Sequence, residues 1–182
     1  RVAGPDVSRT MTPEQIEGLM AQVPEAFREQ FEQALFLFKM GLPFNLDAWD
    51  GYPAARERLY QSIRRAGAHP LVLAGDSHAF WANQLADAQG NAIGVEFGTS
   101  SISSPSIGDM LPKMPIGDLL QQASPEVAFC DQRAKGYILL TLTREKATGD
   151  YIAMSTIYAP KAEARTLKRF SLAAGATRFD AT

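Results

Sequence analysis

The amino-acid sequence predicts an α/β fold with a mixed sheet and flanking helices. Amphipathic helical stripes fill much of the first third of the chain, before any stretch typical of a strand. The apolar run Leu-Val-Leu-Ala at 71–74 follows a helical segment, as a buried strand of an α/β sheet often does. Two β-rich segments, 136–145 and 151–159, are close enough in sequence to form an antiparallel edge. Helices first and strands in mixed order indicate this fold class.

Three helices are predicted before the first strand. The Thr-Pro-Glu-Gln sequence at 12–15 is typical of a helix N-terminus, and this helix is expected to end near Gln22. After Pro24, apolar residues recur every three or four positions, which predicts a second helix that ends at Gly-Leu-Pro, 41–43. The segment 54–66 has similar periodicity, with arginines on its outer face, and predicts the third helix.

The predicted strands differ in their expected position in the sheet. The uninterrupted apolar run 71–74 predicts a central strand buried on both faces, and 92–98 predicts a strand that follows it. Segments 136–145 and 151–159 predict an antiparallel hairpin, with its turn at Thr-Gly-Asp, 148–150.

The remaining segments are predicted to be mostly irregular. Residues 44–53 are a loop rich in turn residues and aromatics, and 116–122 carry a short helical signal. The loop 99–108 is rich in Ser, Pro and Gly. Its serines could donate to phosphate, but ordering of the loop through side-chain-to-backbone hydrogen bonds is the favoured interpretation. The tail after Pro160 is polar and mixed, with a possible short strand at its end.

Composition excludes several classes of protein. The chain has 182 residues, of which 46% are hydrophobic and 21% charged, so it is long and apolar enough to bury a core. A net charge of -2 gives no basic surface for nucleic acid or for an acidic membrane, and no apolar run approaches a membrane span. Residues 1–10 lack the apolar segment of a signal peptide. Cys130 is the single cysteine and is expected to be a small buried side chain rather than a reactive thiol.

The segment Gly-Asp-Ser-His at 75–78, after the first predicted strand, allows three interpretations. Gly-Asp-Ser resembles the opening motif of SGNH-type serine esterases, whose nucleophile needs a histidine base from near the C-terminus. The chain has two histidines, and none follows His78, so this interpretation is disfavoured. His69 precedes the strand and is expected on a surface loop. A purely structural turn, with Asp76 capping it, is the second possibility.

A metal site is the third interpretation. In extended backbone, the side chains of Asp76 and His78 would leave on the same side, about 7 Å apart along the chain. A carboxylate with an imidazole suits iron, manganese or zinc. Gly75 allows a turn at the carboxyl end of a strand, where open α/β sheets place their ligands.

Four segments in order resemble one known family. They are "DAWDGYPAARERL" at 47–59, "VLAGDSHAFWANQL" at 72–85, "GVEFGTSSISSP" at 94–105 and "KGYILLTLT" at 135–143. Together they resemble the PhoD-like alkaline phosphatase/phosphodiesterase family. Linked motifs in one order are far more specific than any one of them alone.

The resemblance implies a metallophosphoesterase-type sandwich, two packed sheets flanked by helices. It implies a secreted hydrolase of phosphate mono- and diesters with a site containing iron and calcium, metals that activate the attacking water. It places Asp76 and His78 in the metal site and Ser77 at a variable position between them. It also suggests export to the periplasm or the cell exterior.

Five further residues are candidates for supporting roles. Trp49, Asp50 and Tyr52 fall in the first matching segment and could form the rim of the site or a packed aromatic turn. Asn83 and Glu96 are polar residues in strand-like segments, and Glu96 could support a metal ligand or be a buried, hydrogen-bonded carboxylate.

The chain departs from the family in length. Family members carry most of their metal ligands before the region matched here, whereas residues 1–43 hold no Asp/His cluster at ligand spacing. We therefore expect 1–43 to be an arm with helices and 44–182 to be the C-terminal half of the phosphoesterase domain. We expect the chain to be inactive alone. We also expect the missing N-terminal half, or self-association, to cover the exposed edge of the sheet. The rival interpretation is a non-catalytic α/β module that binds through the 99–112 loop and the aromatic turn.

Overall fold

Two β-sheets form the body of the protein in a computed structural model, which describes residues 13–21, 23–40 and 48–181. The strands are β1 (Leu71–Ala74), β2 (Phe80–Ala86), β3 (Ala92–Gly98), β4 (Val127–Asp131), β5 (Gly136–Leu142), β6 (Lys146–Met154) and β7 (Ala164–Ala173). The helices are α1 (Pro13–Met20), α2 (Glu25–Lys39), α3 (Pro53–Arg65), α4 (Ile107–Met110) and α5 (Ile116–Ala123), and a 3-10 turn spans Trp49–Gly51. The predicted α/β class with two sheets is confirmed.

The first sheet is mixed and has the strand order β1-β3-β2-β4. β1 pairs with β3 in parallel, and the other pairs are antiparallel. The prediction that β1 is a central strand was wrong for the described chain, because β1 pairs there with β3 alone and Leu73 is 64% exposed. An apolar run indicates burial but does not say how many strands pair with it.

The second sheet is an antiparallel meander of β5, β6 and β7. The hairpin was predicted, but its turn was placed wrongly: residues 148–150 lie within β6, and the chain reverses at 143–145. There the Thr143 amide donates to the Lys146 carbonyl at 2.9 Å. β7 spans ten residues, where the sequence suggested only a short terminal strand.

The core lies between the two sheets and is mainly aromatic. Tyr151 of β6 is fully buried, and its ring meets those of Phe80 and Phe129 edge-to-face at 5.5 and 5.4 Å between centroids. Its hydroxyl donates to the Trp81 carbonyl at 2.6 Å, which ties the sheets together. Burial, with a smaller contribution from the charge of Glu96, raises the pKa of Tyr151 far above its ordinary value.

The helices match their predictions where the chain is described. α1, α2, α3 and α5 occur where the sequence predicts helices, whereas α4 and β4 were not predicted and β2 was indicated only by the strand-like segment at Asn83. The predicted helix boundaries at Thr12, Gln22 and 41–43 lie outside the described residues, and so does the proposed domain boundary between 43 and 44. In the ranges that the structure describes, no helix combines the length and apolar character needed to cross a membrane.

Cys130 lies in β4, and its predicted burial is confirmed. The residue is 4% exposed. Burial raises the pKa of its thiol to about 12, so the reactive thiolate is rare at neutral pH.

Candidate active site

The segment 75–79 leaves β1 at one edge of the first sheet. Because β1 and β3 are parallel and Ala74 pairs with Gly98, both strands end at this edge. The loop 99–106 starts here too, and the Thr99 amide donates to the Ala74 carbonyl at 2.9 Å. Two loops that follow the carboxyl ends of neighbouring parallel strands are a common setting for a ligand site.

The backbone of this segment is not extended. Asp76 and His78 have φ angles of 68° and 57°, in the left-handed region. The same-side arrangement expected for extended backbone is therefore wrong. A left-handed residue other than glycine costs on the order of 1–3 kcal/mol, although Asp and His adopt this region more readily than most. Such strain persists where neighbouring contacts fix the chain. In this backbone conformation the Asp76 side chain is exposed and that of His78 is half-buried.

The His78 imidazole is fixed by a backbone carbonyl. Its Nδ1 lies 2.8 Å from the carbonyl oxygen of Pro105 in the second loop. A carbonyl oxygen only accepts, so in the neutral ring Nδ1 carries the proton and Nε2 carries the free lone pair. Most metal-binding histidines have this arrangement, with one nitrogen donating to a carbonyl or carboxylate and the other free for the metal.

A second hydrogen bond fixes the backbone at this histidine. The Ser100 hydroxyl contacts the carbonyl of His78 at 3.3 Å and that of Ala134 at 2.6 Å. Ser101 donates to the Ser104 carbonyl at 2.6 Å. The interpretation of the loop serines as side-chain-to-backbone donors is confirmed for these two residues.

The Ser77 hydroxyl is engaged by an indole. Trp81 Nε1 donates to Ser77 Oγ at 3.0 Å, and an indole N–H cannot take a proton from the hydroxyl. A nucleophilic serine needs a base within hydrogen-bond reach. The contact instead holds the 75–79 segment against β2, which fits the interpretation of Ser77 as a spacer.

Asn83 and Glu96 are brought together on β2 and β3. Their backbones are paired, and Asn83 Nδ2 donates to Glu96 Oε1 at 2.8 Å. They lie on the sheet, on the face opposite its buried Ala82 and Phe97, rather than in the 75–79 segment. Asn83 Oδ1 is buried and has no hydrogen-bond partner among the described residues.

Trp49 begins the 3-10 turn before α3, and Tyr52 follows the turn. They are 55% and 56% exposed, so the described residues do not form a packed aromatic turn around them. The backbone of Asp50 is part of the 3-10 turn, but its side chain lies outside the described structure. α3 leads into β1 and contacts β3, so we expect its N-terminal residues near the edge where β1 ends.

The donor set for a metal is partial. His78 has the geometry of a ligand and Asp76 offers an exposed carboxylate. Across residues 13–21, 23–40 and 48–181, however, no cluster of three or more His, Cys, Asp or Glu side chains could hold an ion. These residues fit part of a metal centre, which needs further ligands to be complete.

Two of the groups that hold the site in place were not predicted from the sequence. Pro105 and Trp81 act through a backbone carbonyl and an indole, and neither belongs to a residue type that signals a metal site. The hydrogen bonding of the Ser100 hydroxyl to backbone was the favoured interpretation of the loop serines. The motif order offered the only signal, because Pro105 closes the third matching segment.

Comparison with known proteins extends these observations. A family model described as PhoD-like phosphatase matches residues 10–151. The chain belongs to this family. This PhoD-like chain is 32% identical over 132 residues to alkaline phosphatase D of Bacillus subtilis (strain 168), a match that covers 70% of the chain and 22% of the relative.

A solved structure gives the same result. This PhoD-like chain superimposes on a structure titled "Structure of PhoD" with a TM-score of 0.56 and 28% identity, over 70% of the chain and 25% of that structure. The resemblance predicted from the motifs is confirmed. The chain spans less than a quarter of the length of the curated relative that it matches.

Proposed function

We propose that the complete protein containing this chain is a metal-dependent phosphoesterase of the PhoD-like type. Membership of a phosphatase family supports hydrolysis of phosphate esters. The observation that carries the metal-site proposal is the hydrogen bond from His78 Nδ1 to the Pro105 carbonyl, which leaves Nε2 free at the edge of the sheet. Phosphate monoesters and diesters are the proposed substrates.

The residues of this chain have distinct proposed roles. His78 Nε2 and the Asp76 carboxylate would hold metal, proposed to be iron and calcium by family resemblance. Bound metals would supply Lewis acidity toward the phosphate and a lowered pKa for water. Pro105 and Trp81 keep the segment oriented, and Ser77 performs no proton transfer. Trp49, Asp50 and Tyr52 are proposed for the rim of the site, and Asn83 with Glu96 for support beneath it.

The missing ligands are proposed to come from outside this chain. Two donors cannot complete a multinuclear site, and the matches cover only 22% of the relative and 25% of the solved structure. The N-terminal half of the same protein is the favoured source, and self-association is the alternative. Export to the periplasm or cell exterior stays a prediction.

Hydrolysis assays on two preparations test this proposal. We expect the complete protein to cleave p-nitrophenyl phosphate and bis(p-nitrophenyl) phosphate, to lose turnover on chelation and to regain it with iron and calcium. The 182-residue chain alone is expected to show no turnover, because its described residues offer only two proposed ligands. Turnover by the chain alone, or chelator-resistant turnover by the complete protein, would contradict the proposal.

A non-catalytic binding module is the second candidate. Exposed apolar residues favour it: Ile102 in the 99–106 loop is 84% exposed, and Trp49 and Tyr52 are more than half exposed. Such a module need not retain metal. A complete protein that folds, holds no iron or calcium and hydrolyses neither ester would favour this candidate.

A further inference from the structure

Lys135 is a buried charged residue outside the segment that carries Asp76 and His78. It is 6% exposed and lies in the connection from β4 to β5, where the chain passes from one sheet to the other. A buried ammonium group is costly unless it is paired and hydrogen-bonded. Its partners therefore indicate what the fold gains from it.

The partners of Lys135 lie at the end of the loop after β3 and in α4, the short helix that follows it. Lys135 Nζ donates to Asp109 Oδ2 at 2.7 Å and to Ser106 Oγ at 3.0 Å. The backbone amide of Ser106 also donates to Asp109 Oδ2, at 2.6 Å. The Ser106 hydroxyl contacts the Gln132 carbonyl as well, so Ser106 is held on several sides.

The charge on Asp109 is favoured by this arrangement. Partial burial, the largest effect, raises the pKa of its carboxyl, but the hydrogen bonds from Lys135 and from the Ser106 amide and hydroxyl, together with the charge of Lys135, outweigh it. The net result is a pKa below the ordinary value. Asp109 is therefore a carboxylate at neutral pH, and the amide of Ser106 donates to a full negative charge.

The Ser106 amide and the Pro105 carbonyl belong to one peptide group. That group is planar and trans, so fixing the direction of its N–H fixes the direction of its C=O. The N–H donates to Asp109, and the C=O accepts from His78 Nδ1 at 2.8 Å. Hydrogen bonds in such a chain polarise one another, so a carboxylate at one end makes the carbonyl at the other a stronger acceptor.

We propose that Asp109, held by Lys135, positions His78 through the Pro105–Ser106 peptide group, so that the ring presents Nε2 as a free lone pair. This inference rests on the proposed role of His78 as a metal ligand. Asp109 and Lys135 do not touch the metal or the substrate in this account. They are positioning residues that act through a backbone peptide.

The tautomer of His78 gives a direct test. Long-range ¹H–¹⁵N spectra of the 182-residue chain at pH 8, without metal, report which ring nitrogen carries the proton. We expect His78 in the wild-type chain to hold its proton on Nδ1, unlike the exposed His69, which is the internal reference. We expect Asp109→Ala to shift the His78 signals toward the averaged signals of a free imidazole.

Two further variants separate positioning from general loss of stability. Asp109→Ala/Lys135→Met removes both charges and leaves no unpaired ammonium, so it keeps the test available if Asp109→Ala alone does not fold. Asp150→Ala is the matched control, because it breaks the Asp150–Arg169 pair between β6 and β7, at 2.5 Å, without touching the Pro105–Ser106 peptide. We expect the double variant to shift His78 and the control to leave it unchanged.

Three results would overturn the inference. The first is that His78 in the wild-type chain does not hold its proton on Nδ1. The second is that folded variants at Asp109 keep the His78 tautomer unchanged. The third is that Asp150→Ala shifts the His78 signals as much as the Asp109 variants do. Because neither metal nor substrate is present, this result is independent of the hydrolysis assays. If the complete protein showed no phosphoesterase turnover, the proposed function would be contradicted, but the result of the tautomer measurement would not change.

Discussion

Ser77 lies between the two proposed metal-site residues, and its hydroxyl accepts a hydrogen bond from the Trp81 indole. We predict that Ser77→Ala in the complete protein keeps phosphoesterase turnover within about tenfold of wild type, since one neutral hydrogen bond is worth about 0.5–1.5 kcal/mol. Steady-state kinetics measure this. Loss of a true nucleophile costs on the order of a millionfold in kcat, so a fall of that size with chelator resistance would restore the esterase interpretation.

The residue types of the Gly-Asp-Ser-His segment could be interpreted from sequence, but their geometry could not. Two donors spaced two apart indicated a site after β1, yet Asp76 and His78 adopt left-handed backbone angles. Their conformation depends on the Pro105 carbonyl and on Trp81, which fix the segment through tertiary contacts. No local sequence pattern encodes a contact between residues 27 positions apart.

At the scale of elements, the two sheets pack closely where Gly149 of β6 faces Phe97 of β3. A Cβ at Gly149 would overlap the Phe97 ring. We predict that Gly149→Ala lowers the free energy of unfolding by about 1–3 kcal/mol, as overpacking does. Urea denaturation measures the change.

Gly18→Ala in α1 is the control for this substitution. A Cβ at Gly18 meets open space, and alanine is the better helix former, so no loss of stability is expected there. If Gly149→Ala were as stable as wild type, the contact between β6 and Phe97 would be looser than described.

The short helix α4 is predicted to lose its anchor in acid. Since the pKa of Asp109 is lowered in the folded state, its charge stabilises the fold above the ordinary Asp pKa, and this contribution is lost as the pH falls through the lowered value. The stability advantage of wild type over Asp109→Asn should be constant above about pH 5 and shrink below about pH 4.

Urea denaturation between pH 3 and pH 7 measures that difference. Asp118→Asn, which removes an exposed carboxylate from α5, controls for the loss of a negative charge. A stability difference between wild type and Asp109→Asn that grows as the pH falls would contradict the sign of the effect.

Secondary structure was predictable where local patterns and tertiary packing agree. Periodicity located α2 and α3, and β-rich composition located β3 and β5. The bounds of β2 were not predicted, although Asn83 was placed in a strand-like segment, because Ala, Asn and Gln are weak strand formers. The pairing of β2 with both β3 and β4 outweighs that low propensity. Residues 148–150 suggested a turn, but they lie within β6. The Phe97 ring leaves no room for a side chain at position 149, and Asp150 forms an ion pair with Arg169.

At the scale of the whole molecule, two loops meet at one sheet edge and the connection between the sheets supports them. The Ser100 hydroxyl contacts the carbonyls of both Ala134 and His78, which links this connection to the His78 backbone. Lys135 contacts Ser106 and Asp109, which links it to the peptide group of the Pro105 carbonyl. The sandwich itself therefore fixes the site. The partial set of proposed metal donors among the described residues is consistent with a chain that covers 22% of its relative.

The central claim is that His78 binds metal in a PhoD-like phosphoesterase. The most direct measurement is the metal content of the complete protein by inductively coupled plasma mass spectrometry, for wild type, His78→Ala and the control His69→Ala. We predict bound iron and calcium in wild type and His69→Ala, and loss of at least one of these metals in His78→Ala with the fold retained. Equal metal content in all three proteins would contradict the claim.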